Sequence, residues 1–176
     1  MIQNKINDEK RLVEFREYLW KYFSMHADQR LKTFNFYLLI SALLFGAYGT
    51  LFKNASGSII ICFFPSLITF TSFVFWKLDQ RTKSMIKYSE NALKLIDKEL
   101  CQDFIGIISP DMLNIFKYED NQTEKNNKDT YCFLCKTYSY TNCFNLIFLV
   151  FGGIGLLITI FHLTSLFHSI IYIIIK

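Results

Sequence analysis

The chain has 176 residues, 52% of them hydrophobic and 19% charged, with a mean hydropathy of +0.23 and a net charge of +4. That is one domain's worth of material, but too apolar for an ordinary soluble domain. The positive balance does not single out nucleic acid as a partner, because residues 1–33 carry seven basic and five acidic side chains and residues 77–143 carry ten of each; no segment has the excess that tracks phosphates, and no direct nucleic-acid binding is predicted.

Residues 1–33 form the first predicted element. Leu12, Phe15, Leu19 and Tyr22 or Phe23 recur every three to four positions, which predicts an amphipathic helix. Without Pro or Gly before Phe34 it is expected to run straight into the first span. Phe34–Phe52 and Ser58–Trp76 each hold 19 residues without a charge, enough to cross a hydrocarbon core of roughly 30 Å as helices. The short connection from Lys53 to Ser58 makes the pair, residues 34–76, an antiparallel hairpin, and Pro65 is positioned to kink its second arm. The first span begins after a charged helix and lacks a small-residue cleavage site, so it is expected to stay in the mature protein.

Residues 77–143 form a cytoplasmic helical segment. Met85, Ala92, Leu93, Ile96 and Leu100 keep an apolar stripe, and Glu90 lies four residues before Lys94 as an ion pair. Ser109 and Pro110 start a short helix through Met112, Ile115 and Phe116, with Ser109 as its cap. The polar run 119–130 is expected to be a mobile loop. Phe144–Ile175 has 32 uncharged residues, and as one helix it measures about 48 Å, longer than a bilayer core. Residues 144–176 therefore hold either a span to Phe161, with His162 to Ser169 turning into an interfacial helix or a strand-like tail, or one long tilted helix. Seven Lys and Arg precede the first span and one, Lys53, lies between the spans, while ten follow in 77–143, which places the amino terminus and the central segment in the cytoplasm. The expected class is all-α and integral to the membrane.

Asp28-Gln29-Arg30 precedes the first span and Asp79-Gln80-Arg81 follows the second, so an antiparallel hairpin brings both to one depth. Either Asp28 pairs with Arg81 and Asp79 with Arg30, fixing the register, or all four are ordinary interfacial charges. His26, four residues before Arg30, is either a pH-sensitive gating element or a solvated histidine. Cys62, Ser66, Thr69 and Ser72 form a small polar stripe on the second span, with Gly46 and Gly49 on the first and Gly152, Gly153 and Gly155 on the last; such residues either let helices approach closely or line an aqueous passage. Ser66, Thr69, His162 and His168 are the pore-lining candidates. Cys132 and Cys135 form one CxxC, with Cys101 and Cys143 elsewhere, which is too little for a structural zinc site. No metal site, cofactor or catalytic residue is predicted, and phosphate-loop, HExxH and GxSxG motifs are absent from the sequence.

Tyr22-Phe-Ser-Met-His-Ala-Asp-Gln-Arg-Leu-Lys-Thr-Phe-Asn-Phe-Tyr-Leu-Leu, then Phe75-Trp-Lys-Leu-Asp-Gln-Arg-Thr-Lys and Tyr88-Ser-Glu-Asn-Ala-Leu, resemble small membrane effectors of bacterial antiviral systems that accompany retrons, cyclic-nucleotide signalling systems and CRISPR loci. The size and the extra carboxyl-terminal apolar segment are most similar to the membrane accessory protein of type VI-B, RNA-targeting CRISPR systems. That resemblance implies an oligomeric inner-membrane pore that depolarises the membrane once an RNA-guided nuclease has found its target, with the lipid bilayer and further copies of the chain as partners. The accessory family has been linked to a divergent HEPN motif, but here Arg16 precedes His26 by ten positions, so the spaced pair is missing and an enzyme is not expected. The competing reading is a non-conducting anchor or sensor that recruits a cytoplasmic nuclease or binds a signalling nucleotide.

Overall fold

The computed structural model describes residues 2–54, 60–100, 116, 118, 121–122, 124–125 and 140–175, all of them helical. Three long helices account for most of these: α1 (Ile2–Asn54), α2 (Ile60–Leu100) and α3 (Tyr140–Ile175). At 53, 41 and 36 residues they measure about 80, 60 and 54 Å. Each includes a stretch long and apolar enough to cross a membrane, so the all-helical membrane architecture expected from the sequence is what the chain adopts.

α1 carries the amphipathic segment into the first apolar run without a break. α2 does the same in the opposite sense, continuing past Trp76 to Leu100, and it accommodates Pro65 near its start. Of the two alternatives for the last apolar run, the single helix is the one that forms. No Pro or Gly follows Gly155, and hydrocarbon leaves backbone groups only intrahelical partners. The Ser/Thr-rich stretch does not break α3 because its hydroxyls fold back on the helix: Thr164 donates to the Phe161 carbonyl at 2.9 Å and Ser169 to that of Ser165 at 3.0 Å. Within the polar run 119–130, Asn121, Gln122, Glu124 and Lys125 are helical rather than loop. The rest of that run, the turn at 55–59, the predicted helix start at Ser109 and Pro110, and Cys101, Cys132 and Cys135 lie outside the described residues.

The chain divides into two compact units, Met1–Gln29 with Thr82–Ser139 and Arg30–Arg81 with Tyr140–Lys176. The first is centred on Leu19, Leu93 and Ile96, with Leu12, Phe23, Ala92, Leu100 and Phe116 around them. Burying such side chains contributes roughly 1.5–3 kcal/mol each. Its charges pair along the rim: Arg16 with Asp97 at 2.5 Å, and Glu90 with Lys87 at 2.8 Å and Lys94 at 2.7 Å. The second unit is centred on Phe34, Tyr37, Phe144 and Phe148, packed by Leu38, Phe75, Trp76, Ile147 and Phe151. There Phe34 and Phe144 stack with ring centroids 3.8 Å apart.

Candidate functional site

In the second unit Arg30 joins all three helices. From α1 its Nε and Nη2 donate to the two carboxylate oxygens of Asp79 on α2 at 2.6 and 2.9 Å, and Nη2 also donates to Thr141 Oγ1 on α3 at 3.2 Å. The guanidinium lies 5.0 Å from the Phe144 ring centroid. The planar fork of an arginine suits these simultaneous contacts. Both side chains are nearly buried, 12% and 4% exposed, so each charge depends on the other for its solvation. One residue further on, Gln80 donates to Asn145 at 3.1 Å.

Deeper in the unit the contacts are close and small. Tyr37 OH and Ser72 Oγ are 2.8 Å apart, and Ser72 also donates to the Ile68 carbonyl at 2.7 Å. Thr69 Oγ1 lies 3.2 Å from the carbonyls of both Pro65 and Gly152. A β-carbon on Gly155 would come within 2.7 Å of Thr69 Oγ1 and 2.8 Å of the Pro65 carbonyl oxygen, so glycine is what lets α2 and α3 meet here. A groove of about 560 Å³ opens beside this contact, with Phe73, Trp76, Leu149 and Leu156 among its lining residues.

The pore-lining candidates of the sequence do not share one surface. Thr69 is turned onto α3, as above. Ser66 is exposed, but it lies beside Phe63 and Phe70 on an apolar flank and donates to its own helix at the Cys62 carbonyl, 2.7 Å away. His162 Nε2 is 2.9 Å from Tyr48 OH on α1, while His168 is exposed on α3. Asp79 and Arg30 are brought together. Asp28 and Arg81 are exposed and belong to different units. His26, in the first unit, sits with Nδ1 3.3 Å from Gln29 Oε1 and its ring edge-on to Tyr22 at 4.3 Å.

A reading of polar residues on α2 and α3 missed an exposed face on α1. Asn35, Ala42, Gly46 and Gly49 are all exposed, and their spacing of seven, four and three puts them on one side of the helix, with Leu39 as a bulky neighbour. They are turned away from Tyr37 and Ser41, which are fully buried. Nothing packs within 4 Å of where a β-carbon on Gly46 or Gly49 would sit. The exposed side chains of α2 and α3 within the apolar runs include many large hydrocarbons, such as Phe63, Phe70, Leu149 and Leu157. The signal was present in the spacing of Asn35, Ala42, Gly46 and Gly49, small or polar positions at a helical period in a run otherwise rich in Leu and Phe.

Three spanning-length apolar helices held together by a glycine contact, hydroxyl bonds and one buried ion pair define a helical membrane protein. The chain belongs to the octameric membrane protein family, whose sequence pattern matches residues 14–164. It is similar to CD-NTase-associated protein 19 of Escherichia coli, with 32% identity over 148 residues, 82% of this chain and 87% of that protein. No solved structure matches it.

Proposed function

We propose that copies of this chain form a ring that conducts ions across a bacterial inner membrane as an effector of antiviral defence. Three helices cannot enclose a conduit, so conduction requires several subunits, and membership of an octameric family supports that requirement. The observation that carries the reading is the uncovered α1 face of Asn35, Ala42, Gly46 and Gly49. An Asn side chain facing lipid lacks hydrogen-bond partners and costs about 1–3 kcal/mol, whereas it is hydrated at the mouth of a central passage. The lack of bulk at Ala42, Gly46 and Gly49 would keep such a passage open beyond it. The relative's name favours operation beside a CD-NTase rather than beside the RNA-guided nuclease of a type VI-B system.

Residues 1–33 and 77–143 are then cytoplasmic, by the distribution of Lys and Arg. The Arg30–Asp79–Thr141 junction is the element whose opening would couple helix movement to conduction. Thr69 and His162 serve packing within the subunit, which is the arrangement expected of the non-conducting anchor; the two readings separate on function. Purified protein reconstituted in planar bilayers should conduct, and Asn35→Leu combined with Ala42→Leu should lower unitary conductance without changing the oligomer's mass. A correctly sized oligomer that is silent in bilayers and leaves the membrane potential of expressing cells intact under defence activation would leave the anchor as the function.

A further inference from the structure

We propose that the aromatic edge of α1 at Phe15, Tyr18 and Tyr22 docks against Tyr88 and Leu95 on α2 of the next copy of this chain. The first unit lies outside what lipid can cover: its two helices carry the Arg16–Asp97, Lys21–Glu17 and Lys87–Glu90–Lys94 pairs, a charge density that hydrocarbon does not accept. Yet Tyr18 is 59% exposed, Tyr88 74% and Leu95 68%. Large apolar side chains grouped on a water-facing surface mark a protein contact.

The two patches differ in make-up and position, as a ring requires, since a closed cyclic assembly joins two unlike surfaces of each subunit. Tyr88 and Leu95, seven apart, share the side of α2 opposite Leu93, which is buried in the unit's centre. On α1 the rings form a preordered ladder: Phe15 stacks on Tyr18 at 6.2 Å and Tyr18 on Tyr22 at 6.5 Å. Rings already held by their neighbours lose little freedom on docking. The heights agree as well. Arg16 pairs with Asp97 and Leu19 packs with Leu93, so along the antiparallel helices Tyr18 is level with Leu95 and Tyr22 with the turn holding Tyr88. A ring closed about an axis parallel to these helices keeps every residue at its height, and it brings the ladder of one copy to the Tyr88 and Leu95 level of the next. Both patches lie within the matched family region, residues 14–164, and octameric membership supplies the second copy as occupant.

The inference concerns assembly, not conduction, so its test reads assembly alone. Two differently tagged full-length chains, one carrying Tyr18→Cys and the other Leu95→Cys, are co-expressed, purified in detergent and mildly oxidised. A disulfide joining the two tags, absent when either substitution is omitted, supports the contact. Oligomers of full mass that give no joined product, or that join only Tyr18→Cys chains to each other, overturn it. In parallel, Tyr18→Ser with Tyr88→Ser should shift the light-scattering mass below that of the native oligomer while circular dichroism stays helical; a full-mass, helical double variant would likewise overturn it.

Discussion

The two units use the same two helices, α1 and α2, yet they are held by different means. In the charged unit, Leu19, Leu93 and Ile96 are withdrawn from water and the ion pairs stay on the rim. In the apolar unit hydrophobic side chains gain nothing by leaving lipid for one another, so specificity passes to close approach and polar contact: Gly155 against Thr69 and Pro65, Tyr37 to Ser72, Arg30 to Asp79 and Thr141. The lesson is that the solvent around each half of one helix decides which residues count as its core.

Substitutions sharpen this contrast. The largest expected effect is at Arg30: replacing it with Ala strands the nearly buried Asp79 carboxylate, at a cost of about 3–5 kcal/mol. Thermal unfolding in detergent should show it, and Asp79→Asn added to Arg30→Ala should recover part of the loss, because the stranded charge is removed. A large loss is also expected for Leu93→Ala in the other unit, about 2–5 kcal/mol for a side chain only 1% exposed; an effect below about 1 kcal/mol would mean that hydrophobic burial does not hold that unit together. Next comes Gly155→Ala, which forces α2 and α3 apart and should cost about 1–3 kcal/mol. Its neighbour Gly153, with nothing within 4 Å of a built β-carbon, should accept Ala silently, so equal effects at the two glycines would refute the close-contact account.

The smallest effects test the polar groups. Arg16 in the rim pair is 45% exposed, so Arg16→Gln should cost no more than about 1 kcal/mol and the loss should shrink at high salt. Ser41 Oγ is buried without a hydrogen-bond partner among the described residues. Ser41→Ala is therefore expected to be neutral or to raise the melting temperature slightly, and a clear drop would reveal a partner for that hydroxyl in the assembled protein.

Much of this arrangement was legible before any fold. The charge-free runs, the uninterrupted entry of the first helix into its span, the Glu90–Lys94 pair and the possibility of Arg30 meeting Asp79 all follow from local spacing or from the constraint that an antiparallel hairpin keeps equal depths. Other features were not legible. A Ser or Thr in an apolar run reads the same whether it faces water, another helix or its own carbonyl, and only the packing separated Ser66, bonded to Cys62, from Thr69, wedged against Gly152 and Gly155.

By itself the sequence determined that the protein is helical and needs a membrane, because hydrophobicity and period are properties of consecutive residues. Only the tertiary structure decided that Arg30 also reaches Thr141 and Phe144, that the last apolar run is one helix, and that the uncovered small-residue face belongs to α1. Those outcomes depend on which side each helix turns toward its neighbours, and that rotation is fixed by side-chain contacts between segments far apart in the chain.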